Sequence, residues 1–206
     1  MNLGHERKLT TLLFNPFVFI AGPQALGLGL AAVLTAGLIG SFSHTHFDGV
    51  LDVHLGGGAP WWFFVAEGLI DWISLSLTLW IFGKIISTTA FRAIDLWGTQ
   101  ALARWPMLLI GFLTLPPGFR RFPQVLLGAV TQPGAKIAID PWDAAVFCVA
   151  ALAMLPLICW VVALMYQSYS VSCNVKGGKA IGTFVAGLIL AEIISKIVLY
   201  QLLIFL

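Results

Sequence analysis

The chain has 206 residues, of which 59% are hydrophobic and 10% charged, with a mean hydropathy of +0.95 and a formal charge of +2. A soluble domain carries roughly 25% charged residues, so the composition implies an all-α polytopic membrane protein. With so small a charge and no lysine-arginine cluster, nucleic acid is excluded as a partner. The partners implied are the lipid bilayer and other membrane proteins, or a second copy of the chain.

Residues 1–16 read as a short cytoplasmic or interfacial segment with Glu6, Arg7 and Lys8, and residues 17–206 as one transmembrane domain. The N-terminus lacks the charged, apolar, then small pattern of a cleaved signal, so the first span is expected to stay as a signal anchor. That span covers residues 17–42, with Pro23 as a kink or the true start. Its Ala32, Ala36 and Gly40 fall four apart, a spacing that suits close helix packing in a membrane, including self-association. Span two covers residues 61–82 and is long enough to cross, since about 20 apolar residues suffice. Residues 84–100 have helical character and read as a polar surface helix. Span three, residues 99–115, is interrupted by Arg104 and Pro106. A short apolar piece at residues 122–130 is too short to span and reads as interfacial or re-entrant. Span four covers residues 142–166 and span five residues 180–206, for a bundle of about five transmembrane helices. Cys148, Cys159 and Cys173 are too dispersed for a metal site and read as small buried hydrophobes.

Basic residues near the span ends set the orientation. With a cytoplasmic N-terminus, Arg7, Lys8, Lys84, Arg92, Arg104, Lys176 and Lys179 lie inside, against Arg120, Arg121 and Lys136 outside. The excess favours N-terminus in and C-terminus out.

Span two carries two carboxylates. Glu67, Asp71, Ser74 and Thr78 form a polar seam on one helix face. An ionised group at mid-membrane costs at least roughly 2.5–3.5 kcal/mol, so this face must meet protein or water. Opposed topology puts Asp71 and Glu192 near the midplane, and Glu67 and Lys196 at matching depth about one turn outward. Arg104 is the second base available to Asp71 or Glu192, and Glu192 and Lys196 are also spaced to pair along one helix. Three acids against two bases leave one carboxyl to be protonated or shared. The cluster Glu67, Asp71, Arg104, Glu192 and Lys196 reads either as a structural knot or as a proton, ion or small-solute path. A third reading leaves one acid near a wet helix end.

The loop at residues 41–60 has no lysine or arginine and holds His44, His46, Asp48, Asp52 and His54. Imidazole and carboxylate are usual ligands of zinc and other divalent ions. The alternatives are a solvated acidic loop and a metal or pH-sensing site. No other cofactor is implied. Gly56, Gly57 and Gly58 read as a flexible link, since no phosphate-loop lysine follows. No nucleophile with a nearby base is apparent, so the chain reads as non-enzymatic.

Asn15-Pro16 at the entry to span one, GKIISTTAFRAIDLWGTQALARWPMLL with Trp105-Pro106, and the block from Trp160 through VSCNVKGGKAIGTFVAGLI together resemble the Yip1 domain. That family is a five-span membrane module of eukaryotic trafficking proteins and of many bacterial proteins. The resemblance implies the fold and topology, with action through lipids or membrane-protein partners. Eukaryotic members are linked to Rab GTPases through a cytosolic tail. The short segment here, without a Tyr-Gly-Pro element, points instead to a bacterial inner-membrane relative. The alternative function is a small transporter or channel using the intramembrane charge cluster.

Overall fold

The computed structural model describes residues 10–131 and 138–204. Glu6, Arg7, Lys8 and Lys136 lie outside the described residues. After a 3-10 turn at Pro16–Val18 the described residues form seven helices: α1 (Gly22–Ser43), α2 (Trp61–Ile86), α3 (Ala93–Ala103), α4 (Pro106–Thr114), α5 (Pro117–Thr131), α6 (Pro141–Ser172) and α7 (Gly177–Ile204). Between α1 and α2 a two-stranded ribbon pairs β1 (Thr45–His46) with β2 (His54–Leu55), antiparallel. Among the described residues four helices, α1, α2, α6 and α7, are long and apolar enough to cross a membrane.

Local sequence chemistry sets the boundaries. Pro23 stands in the first turn of α1, where its missing N–H is not needed, and Gly22 before it adopts φ +58. Pro23 is therefore the start of the helix rather than a kink. Asp140 caps α6 by accepting from the Trp142 amide at 2.9 Å. Helix α6 continues to Ser172, six residues beyond the expected end of span four.

Arg104 and Trp105 separate α3 from α4, and Pro106 opens the second helix. A Cβ on Gly98 would meet the Gly22 carbonyl, one on Gly29 would meet the Ala101–Leu102 backbone, and one on Gly111 would meet Ile39 at 3.2 Å. These contacts rise together along both elements, so α3 and α4 run parallel to α1 as one broken rod. Leu96, Thr99 and Gln100 are buried, which corrects the expectation of a surface helix over residues 84–100. This segment begins the third rod because its glycine face lets two backbones approach.

Helix α2 packs on the other side of α1, with Gly37 against the Phe64 carbonyl and Gly68 against Val33. It also packs on α7, where Thr78 Oγ1 donates to the Gly187 carbonyl at 3.2 Å. Helix α6 closes the far side of α3 through Gln100 Nε2 donating to the Met165 carbonyl at 3.0 Å. Ala36 and Gly40 are buried inside the chain, Gly40 facing Thr45 and Phe47, so the small-residue face of α1 serves internal packing. Helices α6 and α7 carry large apolar side chains outward, among them Val149, Leu152, Ile189 and Ile193, a distribution suited to lipid. Cys148 and Cys159 are exposed on α6 and only Cys173 is buried, so two of the three cysteines depart from the buried reading. Helix α5 exposes Leu126, Leu127 and Val130 and seats Phe119 on Phe147.

Candidate functional site

The loop between α1 and α2 folds back onto the helices as a cap. Thr45, Phe47 and Val50 are buried, which places non-helical backbone against the bundle. Peptide groups removed from water must find partners, and unsatisfied ones cost several kcal/mol in an apolar medium. Side chains of the helices supply them. The Phe47 amide donates to Glu67 Oε2 at 3.1 Å, and the Val50 amide donates to Glu192 Oε2 at 2.7 Å. Arg104 Nη2 donates to the Val50 carbonyl at 3.5 Å. Two acids on two helices and a base at the break between α3 and α4 thus hold one loop.

Glu67 is fully buried and also meets His46 Nδ1 at 2.6 Å, while His46 Nε2 lies 3.1 Å from the Gly57 carbonyl. His46 stacks on Phe64, with ring centroids 4.4 Å apart, and on His54 at 5.6 Å. Burial alone would lower the His46 pKa, but the Glu67 hydrogen bond and charge outweigh it, with help from the Gly57 carbonyl and Asp48. The net direction is upward.

Lys196 does not reach Glu67, the partner suggested by matching depth. Its Nζ lies 2.7 Å from Asp52 Oδ2 and 3.7 Å from both Asp48 Oδ1 and Glu192 Oε1. The Lys196 hydrogen bond lowers the Asp52 pKa against the opposing effect of burial. Asp71, fully buried, has Arg104 Nη1 at 3.8 Å and the Ser195 side chain beside it, and among the described residues neither of its oxygens makes a well-formed hydrogen bond. Ser74 and Thr78 complete the buried seam, and Thr78 Oγ1 donates to carbonyls of its own helix as well as to Gly187. His44 stands apart, closing α1 at φ 53 and accepting from the Gly56 amide through its carbonyl.

Across this region Asp48, Asp52, Glu67, Asp71 and Glu192 face two permanent cations, Arg104 and Lys196, and the imidazoles of His46 and His54. Acidic and basic groups are interleaved here, and the partly exposed ones, Asp48, Asp52, His54, Glu192 and Lys196, lie on the solvent side of the buried pair Asp71 and Arg104. A cleft of about 540 Å³ opens beside it, floored by His46, Asp48, Glu67 and Lys196 and walled by apolar residues including Phe63 and Leu203.

Sequence reading did not single out Gly49, and it read Gly56 only as part of a flexible link. A Cβ on Gly49 would collide with the Glu192 carboxylate and one on Gly56 with the His46 ring. The Asp48-Gly49 pair is a turn signal that could have marked the first. Tyr200 and Leu203 carried no signal, because apolar residues at a helix end look like any other part of a span. Scans against protein-family models, curated proteins and solved structures find no match to this chain.

Proposed function

We propose that this chain is a five-span, Yip1-type protein of a bacterial inner membrane, N-terminus inside, that acts without catalysis by binding an amphiphile, a membrane lipid, in the cleft under its outer loop. The fifth crossing in this reading is the broken rod α3–α4, which runs parallel to α1 between α1 and α6. The observation that supports lipid binding is the cleft's division into a charged floor and an apolar wall. Small-molecule sites are concave and mostly apolar, with a few convergent polar groups that fix orientation. A lipid headgroup that carries both charges fits the mixed floor of His46, Asp48, Glu67 and Lys196, and its apolar part fits the wall of Phe63, Leu199 and Leu203. Native mass spectrometry of the purified protein is expected to show retained lipid. Leu203→Trp, which fills the mouth from a half-exposed position, is expected to remove it at unchanged folded yield. Equal lipid in wild type and variant would count against the reading.

A second reading, proton or cation passage, is favoured by one specific feature: Asp71, buried beside Arg104 and, among the described residues, without a well-formed hydrogen bond. It requires flux in proteoliposomes that Asp71→Asn abolishes while the protein still folds. Flux that survives the substitution removes this reading.

A further inference from the structure

We infer that residues 56–59 are a proton-operated strap on the cleft, docked while the His46–Glu67 pair carries one extra proton and released when that proton leaves. The inference rests on the reading of the cleft as an amphiphile site, whose wall the strap completes. Gly56, Gly57, Gly58 and Ala59 line the cleft together with Leu199 and Leu203 of α7. The Gly56 amide donates to the His44 carbonyl at 3.2 Å, which ties the first residue of the strap to the ribbon. Beyond it, among the described residues, the one hydrogen bond of residues 57–59 joins the Gly57 carbonyl to His46 Nε2 at 3.1 Å. A Cβ on Gly57 or Gly58 would meet nothing within 4 Å, and glycine backbone is free to rearrange once that bond is lost.

The bond depends on a count of protons. His46 Nδ1 lies 2.6 Å from Glu67 Oε1 while Nε2 faces the Gly57 carbonyl. A carbonyl and a carboxylate both accept only, so the two contacts need two hydrogens, and a neutral imidazole brings one. The second sits on the imidazole or on the Glu67 carboxyl, and either placement leaves the pair neutral overall. When it is lost, the remaining N–H stays with the carboxylate, because a charge-assisted hydrogen bond is roughly twice as strong as a neutral one. Nε2 then presents a lone pair to the Gly57 oxygen, and the strap is repelled.

Glu67 faces His46 from α2, Asp48 from its own loop, His54 from the paired strand and Lys196 from α7 across the cleft floor. Burial opposes charge on His46 and Glu67 outweighs it, so the net shift is upward. The strap is therefore docked below the ordinary imidazole value and released as pH rises through the higher folded-state value. With both nitrogens engaged, the His46 ring has no lone pair for a metal.

The test places a nitroxide on Gly58→Cys in the full chain, with Cys148→Ala and Cys159→Ala, in lipid nanodiscs. Spin-label mobility is followed from about pH 6 to about pH 9, beside nitrogen NMR of the histidine rings. The ratio of immobile to mobile label is expected to fall by at most about tenfold per pH unit, the signature of one proton, with the midpoint at which the His46 ring titrates. His46→Gln is expected to leave the label mobile throughout, and His54→Gln to keep the step. Where His46→Gln fails to fold, the coincidence of the two midpoints and the His54→Gln result decide. A wild-type label indifferent to pH, a step that survives in folded His46→Gln, or a step lost in His54→Gln would each overturn the inference. Native mass spectrometry at both ends of the range separates it from the reading it rests on. A mobility step with no lipid at either pH removes the lipid reading and supports the strap, whereas lipid retained beneath a label that stays immobile does the reverse.

Discussion

His46 joins the loop to the membrane helices, and its chemistry makes the loop sensitive to pH. Glu67 faces it from α2, Asp48 from its own loop and His54 from the paired strand. Its folded pKa is raised above the ordinary imidazole value of 6.5. The stabilisation from the His46–Glu67 pair is therefore complete below that value and is lost as pH rises through the higher folded-state value. Melting temperatures between about pH 6 and pH 9 are expected to fall more steeply for the wild type than for His46→Gln; parallel slopes would sever the link. Glu67→Gln removes a charged acceptor from both His46 and the Phe47 amide and is expected to cost on the order of 2 kcal/mol or more, read as a loss of thermal stability in detergent. At this scale the acids themselves are legible, because a carboxylate in an apolar run must have a partner. The partners are not: Glu192 and Val50 are 142 positions apart, Lys196 and Asp52 144, and neither depth nor charge count predicts that a backbone amide takes the carboxylate intended for a lysine.

The elements follow the same division. Continuous apolar length marks α1, α2, α6 and α7, and four-residue spacing marks the seam Glu67, Asp71, Ser74 and Thr78 that lies buried on α2. The broken rod is less legible. Arg104 and Pro106 interrupt the hydropathy, and the polar Thr99 and Gln100 resemble a surface helix, yet Thr99 is satisfied by Ser172 at 2.9 Å and Gln100 by the Met165 carbonyl. Polar residues in membrane helices are paid for by partners on neighbouring helices, which a single segment cannot display. The glycine contacts give this element a direct test. Gly29→Leu puts a side chain into the Ala101–Leu102 backbone, and overpacking of this kind costs about 1–3 kcal/mol. A several-degree drop in melting temperature is expected for Gly29→Leu and no comparable change for Gly27→Leu, whose Cβ position is open. Equal effects at the two sites would contradict close packing of α1 on α3.

For the whole molecule, the bundle reads as a row of neighbours, α7, α2, α1, the α3–α4 rod and α6, with the loop capping one end. If that end faces outward, an impermeant thiol reagent added to sealed cells labels a cysteine placed at Gly58 and spares one placed at Thr89, near the opposite end. Labelling of Thr89→Cys instead would invert the orientation. The cap explains why the charges sit where they do: Glu67 on α2, Glu192 on α7 and Arg104 at the break between α3 and α4 converge on the backbone of residues 47–50. Amide hydrogen exchange across residues 44–58 of the intact protein in nanodiscs tests most directly whether those side chains hold the loop. The amides of Phe47 and Val50 are expected to exchange as slowly as those inside α2, with Phe47 released selectively in Glu67→Gln. Rapid exchange of both amides in the wild type would contradict a loop fastened by the membrane carboxylates.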